Sequence, residues 1–266
     1  MIYLGVCGWP VAHSRSPQMH NAALAAAGLD DWRYLRLPLP PELFAETVRA
    51  LPAAGFRGVN VTIPHKHAAL ALADRASDAA RAIGAANTLT FDDGAIAADN
   101  TDAPGLLAAL PFSPAGRTAL VLGAGGAGRA ATWALLSAGA ADVAIWNRSP
   151  ERARALADDL GARAVEAPGT ADIVVNCTSV GLHEPDATFK ALPLQADELS
   201  AGSLVVDMVY RAGGTRLLDA ARTRGARVVD GLEILVAQGA ASFERWTGLE
   251  APREAMRAAA TTIAEP

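Results

Sequence analysis

Cysteine is almost missing from the 266-residue chain: only Cys7 and Cys177 occur. Two such distant residues make neither a disulfide framework nor a zinc site, and they point to a reducing cytoplasm. Positive charge has no surplus, with 23 basic residues against 28 acidic ones. A general nucleic-acid surface needs such a surplus to neutralise phosphates, so nucleic acid is excluded as a partner. Apolar runs are short, and none approaches the roughly 18 unbroken residues of a membrane span. No block of like charge marks a disordered tail. The opening Met1-Ile2-Tyr3-Leu4-Gly5 reads as a strand and has no basic stretch before it, so no secretion signal is expected. These absences describe a cytoplasmic globular chain.

Apolar residues make up 51% of the chain, enough for each of the two domains that a length divided by roughly 150 residues per domain suggests to bury its own core. Short apolar runs at 2–7, 58–63, 119–122, 143–146, 173–175, 204–206 and 228–229 alternate with Ala- and Leu-rich amphipathic stretches. That alternation is the pattern of α/β folds with parallel sheets covered on both faces. Pro111, Pro114 and Gly116 interrupt a helical pattern that begins at Asp102, which marks a boundary. From Leu232 onward the pattern is helical with no strand following, so these helices must bury their apolar faces on the first domain. The reading is a discontinuous domain of residues 1–102 plus 232–266, and a second domain of residues 103–231.

Gly123-Ala124-Gly125-Gly126-Ala127-Gly128 follows the run 119–122 directly and opens a helix expected over 129–138. Strand, G-x-G-x-x-G and helix together form the dinucleotide fingerprint of a doubly wound Rossmann domain. Backbone amides at the turn face the pyrophosphate. The next strand ends in Asn147-Arg148-Ser149, with no carboxylate to accept from a ribose 2′-hydroxyl. Arg148 is placed to pair a 2′-phosphate, with Asn147, Ser149 and Arg152 as further donors, so the cofactor expected is NADP. The alternative is a solvated helix start in which Arg148 and Arg152 accompany Glu151. Thr178, after the strand that ends at Cys177, is expected to line the cofactor cleft.

In the first domain, G-W-P-V-A-H-S-R-S-P-Q-M-H-N at 8–21 reads as a strand end, a loop and a helix start. Ser16, ahead of Pro17, is the expected N-cap, and Ser14 and Ser16 together suit an anion. Lys66 after Pro64 reads either as a solvated residue of a helix's first turn or as a catalytic group. Asp102 reads either as a helix N-cap or as that group's partner. His65 and His67 are read as surface residues. The five histidines show no ligand spacing, so no metal is expected.

The segment 8–21 resembles the N-terminal motif of the shikimate dehydrogenase family. G-V-N-V-T-I-P-H-K at 58–66, G-A-A-N-T-L at 84–89, D-N-T-D at 99–102 and D-G-L at 230–232 through Gln238 resemble the same family in order. The resemblance implies reversible, NADPH-dependent reduction of 3-dehydroshikimate to shikimate, in a cleft between a substrate domain and the Rossmann domain. It implies Lys66 and Asp102 as catalytic residues, and Ser14 and Ser16 as ligands of the substrate carboxylate. Thr62, Asn87, Tyr210 and Gln238 are implied to face the substrate, with Asp102 also reading a ring hydroxyl. Met208 and Gly231 are implied to line the nicotinamide pocket, and Asp78 to contact the cofactor.

The chemistry agrees with the implied roles. A lysine can protonate the alkoxide that hydride transfer creates, and a neighbouring carboxylate would hold it in place. A quinate or aminoshikimate dehydrogenase on the same scaffold, or a non-catalytic NADP-sensing regulator, remain the alternatives. Ala212, Glu233, Ile234 and Arg15 depart from the family pattern, and the loop at Ala212 is expected to be more flexible than usual. A monomer or homodimer is expected.

Overall fold

The computed structural model describes residues 1–182, 184–211 and 213–262. The chain forms two compact units, Met1–Gly105 with Leu235–Pro266, and Leu106–Ile234. Both changeovers fall inside helices, as do the boundaries of the sequence reading after 102 and 231.

The first unit opens with β1 (Ile2–Gly8), α1 (Ser16–Ala26), β2 (Trp32–Pro38) and α2 (Phe44–Ala50). Next come β3 (Phe56–Val61), α3 (Lys66–Leu72), β4 (Arg75–Ala76) and α4 (Asp78–Ile83). A hairpin of β5 (Thr88–Asp92) and β6 (Ala95–Asp99) leads into α5 (Asp102–Ala109). The strands form one sheet in the order β2-β1-β3-β5-β6-β4. β1 is parallel to β2 and β3, but β5 runs antiparallel to both β3 and β6. The reversal is local in origin. Asp93 and Gly94 both have positive φ, 49° and 76°, as a type I′ two-residue turn requires, and its twist suits tightly joined strands. The turn sets the register that pairs Thr88 with Asp99.

Cys7, Val59, Val61 and Leu89 from the sheet pack on Phe44 and Val48 of α2 and on Ala69 and Leu72 of α3. Burying a Val, Leu or Phe side chain contributes about 1.5–3 kcal/mol. Two C-terminal helices complete the unit: α10 (Gly231–Thr247), which the chain enters from the second unit, and α11 (Arg253–Thr261). α11 lies against α1, where the Arg15 guanidinium donates to the Ala260 carbonyl at 2.7 Å. Trp246 of α10 donates its indole N–H to the Leu89 carbonyl at 3.1 Å.

The second unit runs β7 (Thr118–Leu122), α6 (Gly126–Ser137), β8 (Asp142–Trp146), α7 (Pro150–Leu160) and β9 (Arg163–Ala164). It continues through β10 (Ile173–Asn176), α8 (Thr188–Ala191), β11 (Leu204–Asp207), α9 (Arg216–Thr223) and β12 (Arg227–Asp230). The sheet order is β12-β11-β10-β7-β8-β9, and every pairing is parallel. Strand order therefore reverses between β7 and β10, as in doubly wound dinucleotide folds. Leu120, Leu122, Val174 and Val205 of the sheet pack on Leu217 and Leu218 of α9. Among the described residues, no helix is long and apolar enough to cross a membrane.

His20 of α1 is fully enclosed, with its ring stacked on Tyr34 at 4.3 Å and neither nitrogen hydrogen-bonded. Desolvation pushes its pKa down to about 3. An unfolded chain protonates this histidine near pH 6.5 and the folded chain does not, so stability is lost as pH falls through that interval. By pH 5 the loss is about 2 kcal/mol. His20→Phe keeps the stacked ring and removes the linkage. Its melting temperature, followed from pH 7 to pH 5, is expected to fall less than the wild type's; parallel curves would contradict this.

Candidate active site

The polar side chains of the first unit gather at the carboxyl ends of β1, β3 and β6 and the amino end of the antiparallel β5. β1 ends at Gly8, where a Cβ would stand 2.4 Å from the Thr62 methyl. The loop holding Ser14 and Ser16 therefore leaves the sheet beside Thr62, and both serines are buried. The expected cap is corrected: Ser16 is the first residue of α1, and its amide donates to Ser14 Oγ at 3.3 Å. The N-cap position is Arg15, which makes no side-chain cap bond. Arg15, between the two serines, is turned towards the α11 carbonyl end.

Lys66 opens α3 just beyond Thr62. Its Nζ donates to Asp102 Oδ2 at 2.6 Å, with the two side chains only 12% and 9% exposed. Lys66 is therefore not the solvated residue that its position allowed. A nearly dry ion pair needs hydrogen bonds on its remaining atoms, since desolvation costs several kcal/mol per ion. Asn87 supplies one, donating from Nδ2 to Asp102 Oδ1 at 2.8 Å. The helix start is capped by Asn100, whose Oδ1 accepts from the amides of Asp102 at 3.1 Å and Ala103 at 3.3 Å. Asp102 is thus released from capping and faces Lys66.

Gln238 of α10 reaches the same group, with Oε1 3.4 Å from Asn87 Nδ2. Gly105 allows that approach, because a Cβ there would lie 2.8 Å from the Gln238 Cβ. His65 was expected at the surface and is instead buried under α2, stacked on Phe44 at 4.3 Å, with Nε2 2.7 Å from the Leu39 carbonyl. His67 is exposed.

In the second unit α6 begins at Gly126, three positions earlier than the expected 129, so the first helical amides belong to the glycine turn itself. Such amides have no partner within their helix. Gly123 has φ 109°, and a Cβ on Gly128 would fall 1.9 Å from the Gly123 carbonyl oxygen. Only glycine lets the helix pack this closely on the strand end. Gly125, by contrast, has no heavy atom within 4 Å of its Cβ position, so the backbone there is open to a ligand. The turn stands at the strand-order reversal, beside Thr178 after β10, whose methyl lies 3.1 Å from the Gly123 Cβ position. Open α/β sheets bind their ligands in this crevice, and the cradle fits a dinucleotide pyrophosphate.

Asn147 fastens the turn: Oδ1 accepts from the Ala124 amide at 3.1 Å, and Nδ2 donates to the Ser149 carbonyl at 3.0 Å. That employs one of the donors expected to face a phosphate. Arg148 and Arg152 are exposed, and neither pairs with Glu151 or another carboxylate among the described residues. Met208 Sδ lies 3.4 Å from Cys177 Sγ, and Gly231 opens α10 against the Met208 carbonyl.

Asp207, which sequence reasoning passed over, ties this edge together. It accepts from Asn176 Nδ2 at 2.9 Å, the Val209 amide at 3.1 Å and Thr215 Oγ1 at 2.6 Å. Burial pushes its pKa up to about 6 against the pull of those bonds, and nearby Asp230 adds to the rise.

Family models cover most of the chain. The substrate binding domain of shikimate dehydrogenase matches residues 6–89. The shikimate / quinate 5-dehydrogenase model matches residues 107–182, and the shikimate 5′-dehydrogenase C-terminal domain matches 231–261. A shikimate dehydrogenase (NADP(+)) of Thermus thermophilus is 47% identical, covering 94% of each chain. The chain belongs to the shikimate dehydrogenase family.

A crystal structure of shikimate 5-dehydrogenase from Thermus thermophilus, in complex with NADP(H) and shikimate, superposes with a TM-score of 0.89 at 44% identity over 98% of each chain. The ligand-free 5-ketofructose reductase of a Gluconobacter strain gives 0.86 at 33% identity over 97% of each. Proteins of this scaffold are thus named for different substrates.

The remaining expected site residues are placed as follows. Tyr210 is on the loop after β11, half-buried. Ala212, expected to loosen that loop, lies outside the described residues. Ile234 is buried in α10 and Glu233 half-buried beside it. Asp78 is exposed at the start of α4 and pairs with Arg81 at 3.0 Å. Among the described residues, no group of three His, Cys, Asp or Glu side chains could hold a metal ion.

The two glycines separate packing from ligand access. Gly128→Ala is expected to cost at least about 2 kcal/mol of stability through overpacking, whereas Gly125→Ala, which changes only the N-cap of α6, lowers the melting temperature of the ligand-free protein far less. Equal melting temperatures for the two variants would contradict the packing account.

Proposed function

We propose that the chain is an NADP-dependent dehydrogenase that interconverts 3-dehydroshikimate and shikimate in aromatic amino-acid precursor synthesis. The observation that carries this reading is the buried Lys66–Asp102 pair, steadied by Asn87 at the carboxyl edge of the first sheet. The Thermus relative of known structure is described in complex with NADP(H) and shikimate, which supports the substrate and the cofactor alike. We take the protein to work in the cytoplasm as a monomer or homodimer, without nucleic-acid or membrane partners.

Each residue has a chemical task in this reading. The Ser14 and Ser16 hydroxyls donate to the substrate carboxylate. Thr62, Asn87, Asp102, Tyr210 and Gln238 read the ring hydroxyls, and analogues lacking one leave a buried polar group unpaired. The amides and open backbone of Gly123, Ala124, Gly125, Gly126 and Ala127 hold the pyrophosphate, with Asn147 keeping the turn in shape. Arg148, helped by Ser149 and Arg152, pairs the 2′-phosphate. Met208 and Gly231 line the nicotinamide pocket, Thr178 lines the cofactor cleft, and Asp78 contributes a cofactor contact. Bound NADPH supplies the hydride. Lys66 Nζ gives its proton to the oxygen of the forming alkoxide and takes it back in the reverse direction. Asp102 holds Nζ at one position, so the proton donor is preorganised.

General acid–base help is worth about 10²–10⁴ in rate. Lys66→Ala is therefore expected to lower kcat by about that factor with little change in the KM for shikimate. An unchanged kcat would defeat the assignment. Arg148→Ala should raise the KM for NADP about ten- to a hundredfold, the value of one charge-assisted bond, and leave that for NAD unchanged. Equal losses for both cofactors would remove the 2′-phosphate role. Assays pairing shikimate or quinate with NADP or NAD should give the fastest turnover for shikimate with NADP; faster quinate turnover would contradict the substrate.

A further inference from the structure

Behind the Lys66–Asp102 pair lies a layer of buried hydroxyls and amides. Ser242, one turn beyond Gln238 on α10, is fully buried at its centre. Its hydroxyl accepts from Asn60 Nδ2 at 2.9 Å and lies 3.1 Å from the Gln238 carbonyl. It also lies 2.9 Å from Thr88 Oγ1 and 3.1 Å from Thr101 Oγ1. Asn60 is held from its other side by the Tyr34 hydroxyl, which donates to its Oδ1 at 2.8 Å.

This layer determines which way Asn87 faces. Asn87 Oδ1 accepts from the Thr101 amide at 2.7 Å and from Thr88 Oγ1 at 3.1 Å, with Thr101 Oγ1 3.2 Å away. Those bonds keep the carbonyl end of the side chain turned away from Asp102 and aim Nδ2 at Asp102 Oδ1. A flipped amide would set an oxygen against a carboxylate oxygen, which repels. Ser242 links both threonines to α10, the helix that also presents Gln238. We propose that Ser242 is a positioning residue for the proton donor: its hydroxyl fixes Thr88 and Thr101, these orient Asn87, and Asn87 holds Asp102 against Lys66. This inference rests on the reading of Lys66 and Asp102 as the proton-transfer pair.

Ser242→Ala, Thr88→Val, the double variant and Lys66→Ala test it together, each assayed for kcat, KM and pH profile with shikimate and NADP. The expected result is a roughly tenfold lower kcat for Ser242→Ala, an altered pH limb of kcat and an unchanged KM for NADP. Thr88→Val should show the same shift, and the double variant should be no worse than the worse single, because both act through Asn87. If Ser242→Ala does not fold, Thr88→Val alone carries the test. A wild-type kcat and pH profile in Ser242→Ala, or in Thr88→Val where it stands alone, would overturn the inference even if the melting temperature drops. Additive losses in the double variant would overturn it as well. Wild-type turnover in Lys66→Ala would instead overturn the reading beneath it, and the inference with it.

Discussion

Bringing an ammonium and a carboxylate out of water is costly unless each finds a partner and the leftover lone pairs are occupied. In this chain that demand shapes the whole carboxyl edge of the first unit. Lys66 arrives from the start of α3 and Asp102 from the start of α5, and their side chains keep little contact with solvent. Asn87 fills the second carboxylate oxygen, while Asn100 takes over the helix cap and donates its own Nδ2 to the Ala85 carbonyl at 2.9 Å. Segments 85–88 and 99–102 must therefore lie side by side. The β5–β6 hairpin puts them there, because its register sets Thr88 opposite Asp99. A slip of one residue would turn every side chain of the hairpin to the other face, and the ion pair would lose its support.

The second unit meets a different constraint, which is to leave backbone amides unpaired and accessible. It does so by close packing at one glycine and open space at another, with Asn147 tying the turn to β8. Asp207 and Asn176 join the ends of β11 and β10, and Asn176 Oδ1 also accepts from Thr178 Oγ1 at 2.7 Å. Loops that bear candidate cofactor contacts are thereby fastened to the sheet by buried side-chain bonds. Such bonds are high-stakes, since each partner left alone loses its solvation without replacement.

Motifs carried much of this in the linear sequence. The glycine turn announced itself through its strand and helix context, and the ordered segments that contain Lys66, Asn87 and Asp102 pointed to one family. Other features were hidden for identifiable reasons. Asp93-Gly94 is a strong hairpin signal between apolar segments, yet a search for isolated apolar runs overlooked β5 and β6. The exposed residues of β2, among them Arg33 and Arg36, broke up its apolar pattern. Ser16 looked like a cap because serine favours that position, but the helix begins at Ser16 and its N-cap position is Arg15. His65 was read from its charged neighbour, whereas its burial depends on Phe44 from a separate helix. Ser242 and Gly105 act across distances in sequence that no local pattern records. Gly105 inside a helix did carry a hint, since glycine there weakens the helix and calls for a packing reason.

Lys66 and Asp102 are proposed to act as one proton-transfer unit, and a double-mutant cycle on Lys66→Met and Asp102→Asn measures that directly. Residues that work as a unit are grossly non-additive in kcat. The double variant is expected to be no slower than the slower single variant. If the two losses in kcat instead multiply, the groups act independently and the account is wrong.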